Sequence, residues 1–555
     1  MGGVSAVCLA WSDYLVLACY IALVTGLGAY GARRRRSDDE YFLVGRRMPW
    51  LAVGISIVAA MISSITYLAE PGEVWKSGVT HATGKLLGIP LEVLFVWGCC
   101  IPFMMRFRFT SVYEYLEHRF GRPTRRWGAA LYVIMVLLWM GFVVLVLSQV
   151  VHQLCGMPLL AVVLTVGAVT TLYTMLGGLR MVIWADVVQV AILVAGAAGT
   201  IVYIVWTAGG TPADWLAAAD AHLRAIGQPT AIPVFSWDPT VRVTVVSVAV
   251  NMAVWHLCIH SSSQITVQRY FSTRDVRAAR RSFLASSIAY VAVSLLLVSV
   301  GLAVLHYYVS TGRPIDGNLD PETQRDLIFP TFALHHLPAG AGGALLAALL
   351  SAAMSTVDAG LGAVATVVSL ELHPVCAGQE RPSRPPAARE LPRSGASGAS
   401  RVPLAMVITV LTGTVITGIA CALTCLPPHW GIFGAIPRTF NAITGPLGAL
   451  FLTGMFMPCV RQPAAVAASV CGLAVSLVLG YLQQISAVLH THGIVPQLWP
   501  DISFAWILPC SFLASFLLAP LLSLVDWSPP RDLAGLTWWT RRAALGEALD
   551  RFPRP

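Results

Sequence analysis

Long apolar stretches limit this chain to one class of fold. Thirteen of them are long enough to cross the roughly 30 Å of hydrocarbon in a bilayer, which takes about 20 helical residues. Of the 555 residues, 56% are hydrophobic and only 11% are charged. A water-soluble core cannot hide that much apolar surface, and within a bilayer only helices or closed barrels satisfy the backbone. The sequence therefore predicts an all-α polytopic membrane protein with about thirteen transmembrane helices.

The charges between these stretches predict an orientation. The predicted spans are residues 12–32, 49–69, 81–105, 127–153, 156–176, 182–207, 241–263, 282–308, 339–371, 402–425, 431–459, 463–485 and 502–525. Placing the N-terminus outside puts most of the 36 Lys and Arg on the cytoplasmic side, and the opposite choice reverses this ratio. We therefore expect a multi-pass protein of the cell membrane with a cytoplasmic C-terminus. The net charge of +9 then reflects basic loops facing anionic lipid, and nothing resembles a nucleic-acid-binding module.

Two of the predicted helices are interrupted by small hydroxyl residues. The first interruption is residues 61–67, inside the span 49–69, and the second is residues 260–264, at the end of the span 241–263. The two lie about 200 residues apart, each in the first helix of one half of the chain. Discontinuous helices at corresponding places in two halves are typical of secondary transporters, whose solute and ion sites lie near the membrane midplane.

The placement of the interruptions also predicts the domain organisation. We expect a leading helix and basic loop, a first five-helix repeat, an extracellular loop, a second five-helix repeat in inverted orientation, and two trailing helices with a cytoplasmic tail. Their boundaries are 1–48, 49–207, 208–240, 241–459 and 460–555. The Pro-, Gly- and Arg-containing segment 372–401 is predicted to be a flexible cytoplasmic linker. In the extracellular loop, Thr211 is predicted to cap a short amphipathic helix that begins at Pro212.

Oxygen atoms at the interruptions are suited to a monovalent cation. A sodium ion that leaves water needs several oxygen ligands, which unwound carbonyls and Ser or Thr hydroxyls supply. Residues 58–62 and 352–358 contain such groups, although Ser and Thr in membrane helices more often bond to their own backbone. Asp358 would cost about 2.5–3.5 kcal/mol at mid-membrane if unpaired. We therefore expect it to face the interior and to meet a cation, a proton or a hydrogen-bond donor.

Five motifs resemble those of a known family of transporters. They are residues 173–180, 184–189, 268–270, 354–356 and 445–447. In this order and spacing they are similar to the signatures of the sodium:solute symporter family, and the resemblance covers most of the chain. It implies the 5+5 inverted-repeat fold of the leucine transporter, with one leading and two trailing helices.

The resemblance also implies ion sites. Carried over residue by residue, the family's sodium site corresponds to the carbonyls of Ala59, Ile62 and Ala352 and the hydroxyls of Ser355 and Thr356. A second ion site in some relatives uses a carboxylate at the position of Asp186 and polar groups near Asp358. The alternative for Asp186 is a structural role, with Arg180, which lies within two helical turns, as its partner. The alternative for Asp358 is that it carries a coupled proton.

The solute pocket is expected around the two interruptions. The candidate residues are Ser63, Ser64, Thr66, Tyr67, Trp255, His260, Ser263, Gln264, Arg438 and Phe440. Arg438 would offer a forked donor to a carboxylate, with snorkelling to the interface as the alternative, and a lone His such as His260 more often packs in a core. Residues 64–74 and 264–272 are similar to the family branch that carries monocarboxylates, iodide and anionic vitamins. The sequence thus favours sodium-coupled symport of a small organic anion, such as a monocarboxylate.

Other functions compete with this interpretation. Asp358 also suits carriers of choline-like cations, and symport of a sugar or an amino acid is a further alternative. A membrane channel or sensor is an alternative of a different class, although a channel would favour a continuous polar stripe that the sequence does not show. An enzyme would need a nucleophile and base in reach of each other, which the sequence does not indicate. The substrate, the number of sodium ions and the oligomeric state stay open.

Overall fold

The chain folds into helices throughout the part that a computed structural model describes, namely residues 10–32, 38–107, 109–228, 234–322, 324–376, 402–425, 432–492, 494–496, 498–526 and 532–540. Over these residues there are twenty α-helices, which confirms the predicted all-α class. In chain order they are α1 (Trp11–Ala32), α2 (Asp38–Leu43), α3 (Trp50–Met61), α4 (Ser64–Ser77), α5 (Thr80–Phe95), α6 (Ile101–Met104), α7 (Glu114–Arg119), α8 (Arg122–Cys155), α9 (Leu159–Ala208), α10 (Pro212–Ala225), α11 (Val245–Ser262), α12 (Gln264–Phe271), α13 (Val276–Thr311), α14 (Ile328–His336), α15 (Ala341–Cys376), α16 (Val402–Leu423), α17 (Ile432–Phe456), α18 (Gln462–Gly480), α19 (Leu482–Thr491) and α20 (Phe504–Ser523).

Each of the thirteen predicted spans falls on a helix. In the described ranges, nine helices are long and apolar enough to cross a membrane, or ten when the bent pair α3–α4 is counted as one span. The other three predicted spans fall on α1, on the first part of α9 and on α17. Thirteen crossings therefore stay a prediction. The predicted linker 372–401 begins inside α15, which continues to Cys376, and its remainder lies outside the described residues.

A glycine separates two predicted spans that are continuous in α9. Gly178 has φ +63° and ψ 176°, whereas the residues around it are helical. This left-handed region is accessible to glycine at little cost. A side chain at Gly178 would also meet the ring of Tyr41 at 2.9 Å. The break thus explains why the sequence pattern predicts one span on each side of it.

Both predicted helix interruptions are confirmed. α3 and α4 meet at a bend of 65°, with Ile62 and Ser63 in extended conformations. α11 and α12 are separated by Ser263, whose φ of −79° and ψ of 121° are also extended. Glu73 of α4 pairs with Arg242 just before α11, so we call that side of the bundle the Glu73 end.

The two broken helices run in opposite directions. At the side away from Glu73, which we call the Ser272 end, the amide of Met48 donates to the carbonyl of Ser272 at 3.1 Å. α3–α4 therefore runs from the Ser272 end to the Glu73 end, and α11–α12 runs back. Opposed broken helices are the geometry that an inverted repeat requires.

Close backbone approach holds the first broken helix in place. A Cβ atom at Gly54 of α3 would lie 2.6 Å from the carbonyl oxygen of Ser282 in α13. A Cβ atom at Gly301 of α13 would lie 2.6 Å from the carbonyl oxygen of Pro71 in α4. Small residues permit this approach, on which helix association in membranes depends. α13 thus supports both halves of the break.

The leading helix α1 is fastened to α15. Asp13 is 7% exposed, and its Oδ1 accepts the amides of Gly340 and Gly343 at 3.0 and 2.7 Å. These are among the amides at the start of a helix that lack an intrahelical acceptor. A carboxylate there also interacts favourably with the helix dipole. The leading helix therefore fixes where α15 begins, at the Glu73 end.

Some arginines of the predicted basic loops are buried, which corrects the expectation that these loops as a whole face lipid. Arg119 is 2% exposed and donates to three backbone carbonyls at the end of α17, at 2.9–3.1 Å. Arg125 is 4% exposed and forms ion pairs with Glu117 and Glu371. A cation beside the last carbonyls of a helix is stabilising. These two arginines therefore join helices.

The predicted capped helix in the loop after α9 is confirmed as α10. The Thr211 hydroxyl accepts the amide of Asp214, and the Asp214 carboxylate accepts the amide of Thr211 in return, which is a capping box. The ring of His222 packs edge-on against Trp75 of α4, with the centroids 5.2 Å apart. α10 therefore covers the Glu73 end of the first broken helix.

An ion-pair cluster closes the Glu73 end. Glu73 accepts two bonds from Arg242 at 2.7 and 3.0 Å and one from Arg325 at 3.1 Å. Asp326, which follows Arg325 in the loop before α14, is also buried, and this burial raises the pKa of its carboxyl to about 6. The negative charge of Glu73 makes a smaller upward contribution to that pKa. The charges of Arg325 and Arg242 oppose this rise in the pKa.

Replacing Asp326 with Asn should change how stability depends on pH. The folded state binds the Asp326 proton more tightly than the unfolded state, so this group makes the wild type less stable as pH rises from about 4 to about 6. Asn does not ionise and should remove this loss, which is on the order of 2 kcal/mol for a pKa that is about two units high. Thermal unfolding at pH 4.5 and pH 7 should therefore show the variant gaining stability relative to wild type at pH 7. Glu322→Gln, at an exposed acid of the same loop, should show no such gain. Equal pH dependence in wild type and Asp326→Asn would contradict this account.

Candidate functional site

The first interruption exposes backbone groups because a serine ends one helix and starts the next. Ile62 follows α3 with φ −93° and ψ 94°, so its carbonyl leaves the helical direction. The Ser63 hydroxyl then accepts the amide of Thr66 at 3.4 Å and caps α4. Carbonyls at the end of α3 and amides at the start of α4 are thereby left near each other inside the bundle.

The predicted sodium ligands lie together. The Ser355 hydroxyl of α15 donates to the carbonyl of Ala59 at 3.1 Å and to that of Ala352 at 3.2 Å. The Thr356 hydroxyl donates to the carbonyl of Ala352 at 3.0 Å. Ala59, Ile62, Ala352 and Ser355 also line one small cavity. This group of neutral oxygens has the chemistry that a dehydrated sodium ion requires.

The same cavity has a polar wall that we did not predict. Gln189 of α9 lines it, and the Gln189 side-chain oxygen is buried without a hydrogen-bond partner among the described residues. The amide nitrogen of Gln189 is fixed by the Tyr20 hydroxyl at 3.3 Å. Its signal in the sequence was its place at the end of the motif 184–189. Gln189 therefore adds an unused acceptor beside the predicted sodium oxygens.

Asp186 forms a buried ion pair with Arg269. One carboxylate oxygen accepts Arg269 Nη2 at 3.1 Å and the Ser56 hydroxyl at 2.5 Å, and Arg269 Nε donates to Ser56 Oγ at 2.7 Å. Asp186 and Arg269 are 0% and 1% exposed. The structural partner of Asp186 is therefore Arg269, whereas the sequence suggested Arg180. Arg269 was predicted to lie in a cytoplasmic loop. It instead joins α12 to Asp186 of α9 and to Ser56 of α3.

Asp358 faces the interior, as expected from its cost in lipid. It is 0% exposed and lines a second cavity together with Arg269, Gln268 and Thr366, toward the Ser272 end. Arg269, the ion-pair partner of Asp186, thus lines the same cavity as Asp358, the other acid predicted for a second ion.

The polar groups of the second interruption are occupied. The Gln264 side chain accepts the amide of Val112 at 2.8 Å and donates to the carbonyl of Thr110 at 2.9 Å. The Tyr132 hydroxyl accepts the amide of Ile265 at 3.1 Å. The backbone carbonyl of Ser263, a predicted solute contact, accepts the amides of Thr266 and Val267 and so continues the turn into α12. In this arrangement Gln264 and Ser263 hold the second interruption in place.

The first interruption keeps an unused hydroxyl. Ser64 Oγ is buried and has no hydrogen-bond partner among the described residues. Thr66, two residues further on, is half-buried. Tyr67 is 0% exposed, and its hydroxyl donates to the carbonyl of Leu193 at 3.4 Å. Of these three predicted solute contacts, Ser64 therefore has the hydroxyl that a ligand would satisfy.

The remaining predicted solute residues lie in different places. The ring of Phe440 contacts Trp139 of α8 at 4.8 Å between centroids, and the half-buried ring of Trp255 contacts His256. His260 is buried against other ionisable groups of α5 and α12. Arg438 bonds both oxygens of Asp501 at 2.9 and 3.1 Å. The structure therefore does not bring Arg438 or His260 to Ser64.

A buried amide near Phe440 was missed. Asn441 of α17 is 7% exposed. It lies two helical turns before Gly448, where a Cβ atom would clash with Cys258, so both positions face α11. An amide buried between α17 and α11 is polar where packing alone favours an apolar residue. Its only signal in the sequence was one Asn within an apolar span.

Two opposed broken helices, a cluster of neutral oxygens at one break and an unused hydroxyl beside it define a class of protein. Such a bundle is a secondary transporter, in which ion and solute sites share the discontinuous helices. The sequence model of the Sodium:solute symporter family matches residues 41–472. The chain belongs to the sodium:solute symporter family.

Known proteins agree with this assignment. The chain is 26% identical to the sodium/sialic acid symporter NanT of Aliivibrio fischeri over 448 residues, which are 80% of this chain and 83% of that protein. It is 28% identical to the human sodium-coupled monocarboxylate transporter 1 over 488 residues, or 85% and 74% of the two chains. A solved Na⁺-coupled sialic acid symporter in a substrate-bound outward-open state superimposes with a TM-score of 0.76 at 20% identity, covering 94% and 99%. The fold is therefore that of the leucine-transporter type, as the resemblance implied.

Family membership settles the class of activity. The chain is a multi-pass membrane protein that couples the movement of a small solute to sodium, and it is not an enzyme. Sodium is one of its transported substrates.

Alanine at Ser355 and Thr356 should weaken sodium binding. Each substitution removes a hydroxyl that contacts the carbonyls of Ala59 or Ala352. A lost contact to a charged group costs about 1.5–3 kcal/mol, so the sodium concentration for half-maximal uptake should rise at least about tenfold. Uptake into proteoliposomes at varied sodium measures this. Thr200→Ala is the matched control, because Thr200 is also a buried threonine bonded to its own helix, in α9. Unchanged sodium dependence in the double variant would contradict the assignment.

Replacing Arg269 with Gln should destabilise the protein strongly. It leaves the Asp186 carboxylate buried without its ion pair, which costs about 3–5 kcal/mol. Replacing Asp186 with Asn in the same chain should restore most of that loss, because both buried charges are then absent. Thermal unfolding of the two single variants and the double variant measures the coupling. A double variant as unstable as Arg269→Gln alone would show that the pair is not the cause.

Proposed function

We propose that this chain carries a small organic anion, of the monocarboxylate class, together with sodium. The observation on which this rests is the buried Ser64 hydroxyl, which lacks a partner among the described residues at the first interruption. It lies at the first residue of α4, so a donor and a helix N-terminus coincide.

The start of α4 favours negative charge. The first amides of a helix have no intrahelical acceptor, and the Ser63 hydroxyl caps only that of Thr66. The amides of Ser64 and Ile65 and the Ser64 hydroxyl therefore offer three donors at the positive end of the α4 dipole. Half-helix N-termini at broken helices are suited to carboxylates for this reason.

The relatives support an acidic solute. NanT is named a sialic acid symporter, and the human relative is named a monocarboxylate transporter. Sialic acids and monocarboxylates share a carboxylate, which is the group that the start of α4 would bind. Arg438 is not needed for this in the arrangement observed, because Asp501 binds its guanidinium.

Coupling follows from the short distance in sequence between the two sites. Ala59 and Ile62 provide sodium oxygens, and Ser64 begins the solute site only two residues later. Sodium binding fixes the end of α3 against α15 and thereby orients the start of α4 for the solute. Occupancy of both sites then permits the change from outward to inward access. We place the N-terminus and the Glu73 end outside, in keeping with the distribution of basic residues.

The energy available depends on how many ions accompany the anion. One sodium ion with a monoanion moves no net charge, so a tenfold sodium gradient supplies about 1.4 kcal/mol. A second sodium ion, for which Asp186 and Asp358 are the candidate ligands, would add a net charge worth about 2.3 kcal/mol per 100 mV. Current across the membrane during transport thus distinguishes one coupled ion from two.

Alanine at Ser64 should raise the KM for carboxylates. Loss of a hydrogen bond to a charged ligand costs about 1.5–3 kcal/mol, which corresponds to at least about tenfold. Sodium-driven uptake of lactate, pyruvate and sialic acid into proteoliposomes measures it, with glucose, choline and amino acids as alternative solutes. Ser515→Ala is the matched control, since the Ser515 hydroxyl of α20 is also buried without a hydrogen-bond partner in the described residues.

Three outcomes of this experiment would contradict the proposal. Uptake of choline, glucose or an amino acid in place of acids would replace the anion by another substrate class. Carboxylate uptake with an unchanged KM in Ser64→Ala would exclude the start of α4 as the anion site. A selective loss of carboxylate affinity in Arg438→Gln would instead assign the anion to that arginine.

A further inference from the structure

Three metal-ligating side chains that the transport sites do not use are buried together. They are Glu92 of α5 and His256 and His260 of α11, each 2% exposed. The two histidines are four residues apart, so they lie on one face of α11. Gly88, one turn before Glu92, lets the backbones come close, because a Cβ atom there would lie 2.9 Å from the carbonyl oxygen of Ala249.

The distances among these groups fit a shared metal ion. His256 Nδ1 lies 3.3 Å from Glu92 Oε2, and His260 Nε2 lies 3.3 Å from Glu92 Oε1. Two ligands of a tetrahedral zinc ion with bonds of about 2.0–2.1 Å are roughly 3.4 Å apart. One ligand atom from each of the three side chains lies within 4.8 Å of the others. The atoms would need only small movements to surround one ion.

His260 has the hydrogen bonding of a metal ligand, and both ring nitrogens of His256 are unused. Neither ring nitrogen of His256 has a hydrogen-bond partner among the described residues, although the ring is 98% buried. For His260, the Tyr270 hydroxyl lies 2.6 Å from Nδ1, so Nε2 is the nitrogen turned toward Glu92. Metal-bound histidines characteristically have their second nitrogen held in this way, which fixes the ring orientation.

A lysine near the cluster is neutralised by its own partner. Tyr290 packs its ring edge-on against His256, with the centroids 5.3 Å apart. Lys85 lies on that tyrosine ring, 5.0 Å from its centroid, and forms a buried ion pair with Glu70. The Lys85 charge is therefore compensated by Glu70, and Glu92 remains the acidic group of the cluster.

We propose that Glu92, His256 and His260 form a binding site for a divalent transition metal ion, of which zinc is the best match. Two imidazoles and one carboxylate suit zinc and leave a fourth position for water. None of the three lines the cavity beside Ser355, so the site is separate from the sodium oxygens. The ion would join α5 to α11 and hold the helix that carries the second interruption.

The test is zinc binding to the purified full-length protein. After removal of bound metal with a chelator, titration with zinc chloride should show one site per chain and a higher melting temperature, because a ligand stabilises the state that it binds. Glu92→Gln and His256→Asn should each lower the zinc affinity at least about a hundredfold. His306→Asn is the matched control, since His306 is another buried histidine with both ring nitrogens lacking partners in the described residues, on α13.

Two further measurements keep the proposal testable if a variant does not fold. Cobalt(II) bound to the wild type should show the visible absorption of a tetrahedral ion with nitrogen and oxygen ligands. Zinc affinity should be unchanged in Ser355→Ala, which separates this site from the sodium site and from the fate of the anion proposal. Absence of zinc binding, binding that survives both cluster variants, an octahedral cobalt spectrum, or a stability that responds to pH but not to zinc would overturn the proposal.

Discussion

The contact between the Ser355 hydroxyl and the Ala59 carbonyl depends on the unwinding at Ile62 and Ser63. A continuous helix would use these carbonyls internally and leave α15 nothing to bind. Because the chain leaves the helical path there, backbone oxygens and backbone amides are exposed only a few residues apart. Opposite partial charges are thus presented within one bundle, which suits a cation on one side and an anion on the other.

Several buried charges of the described residues have a partner of opposite charge or a set of hydrogen-bond donors. Asp186 is matched by Arg269, Lys85 by Glu70, and Asp13 by the amides at the start of α15. An unpaired charge would be costly in this setting, and each pair joins elements that are distant in the chain. Glu92 differs, because the ionisable side chains found beside it in the described residues are two histidines, and both ring nitrogens of His256 lack hydrogen-bond partners there. That imbalance is what distinguishes the Glu92 cluster from the structural pairs.

The sequence predicted the features that are local and missed those that depend on packing. The interruptions at Ser63 and Ser263, the cap at Thr211 and the two halves of α9 each have their signal within a few residues. The gathering of Ala59, Ile62, Ala352 and Ser355 was implied by family resemblance. Arg269 paired with Asp186, and Glu92 beside His256, were not predicted, because 83 and 164 residues separate the partners. Gln264 was predicted to contact the solute, because the sequence around it does not show that its side chain donates to the carbonyl of Thr110, 154 residues away.

Gln264 shows how the two helix breaks differ. Its amide is bound at both atoms by the segment that precedes α7, so the second break is tied to its surroundings while the first retains an unused donor. The two breaks therefore differ: polar groups of the second are bound by neighbouring elements, whereas the first keeps a hydroxyl that a ligand can bind. The inverted relation of the two broken helices therefore does not extend to how each break uses its polar groups.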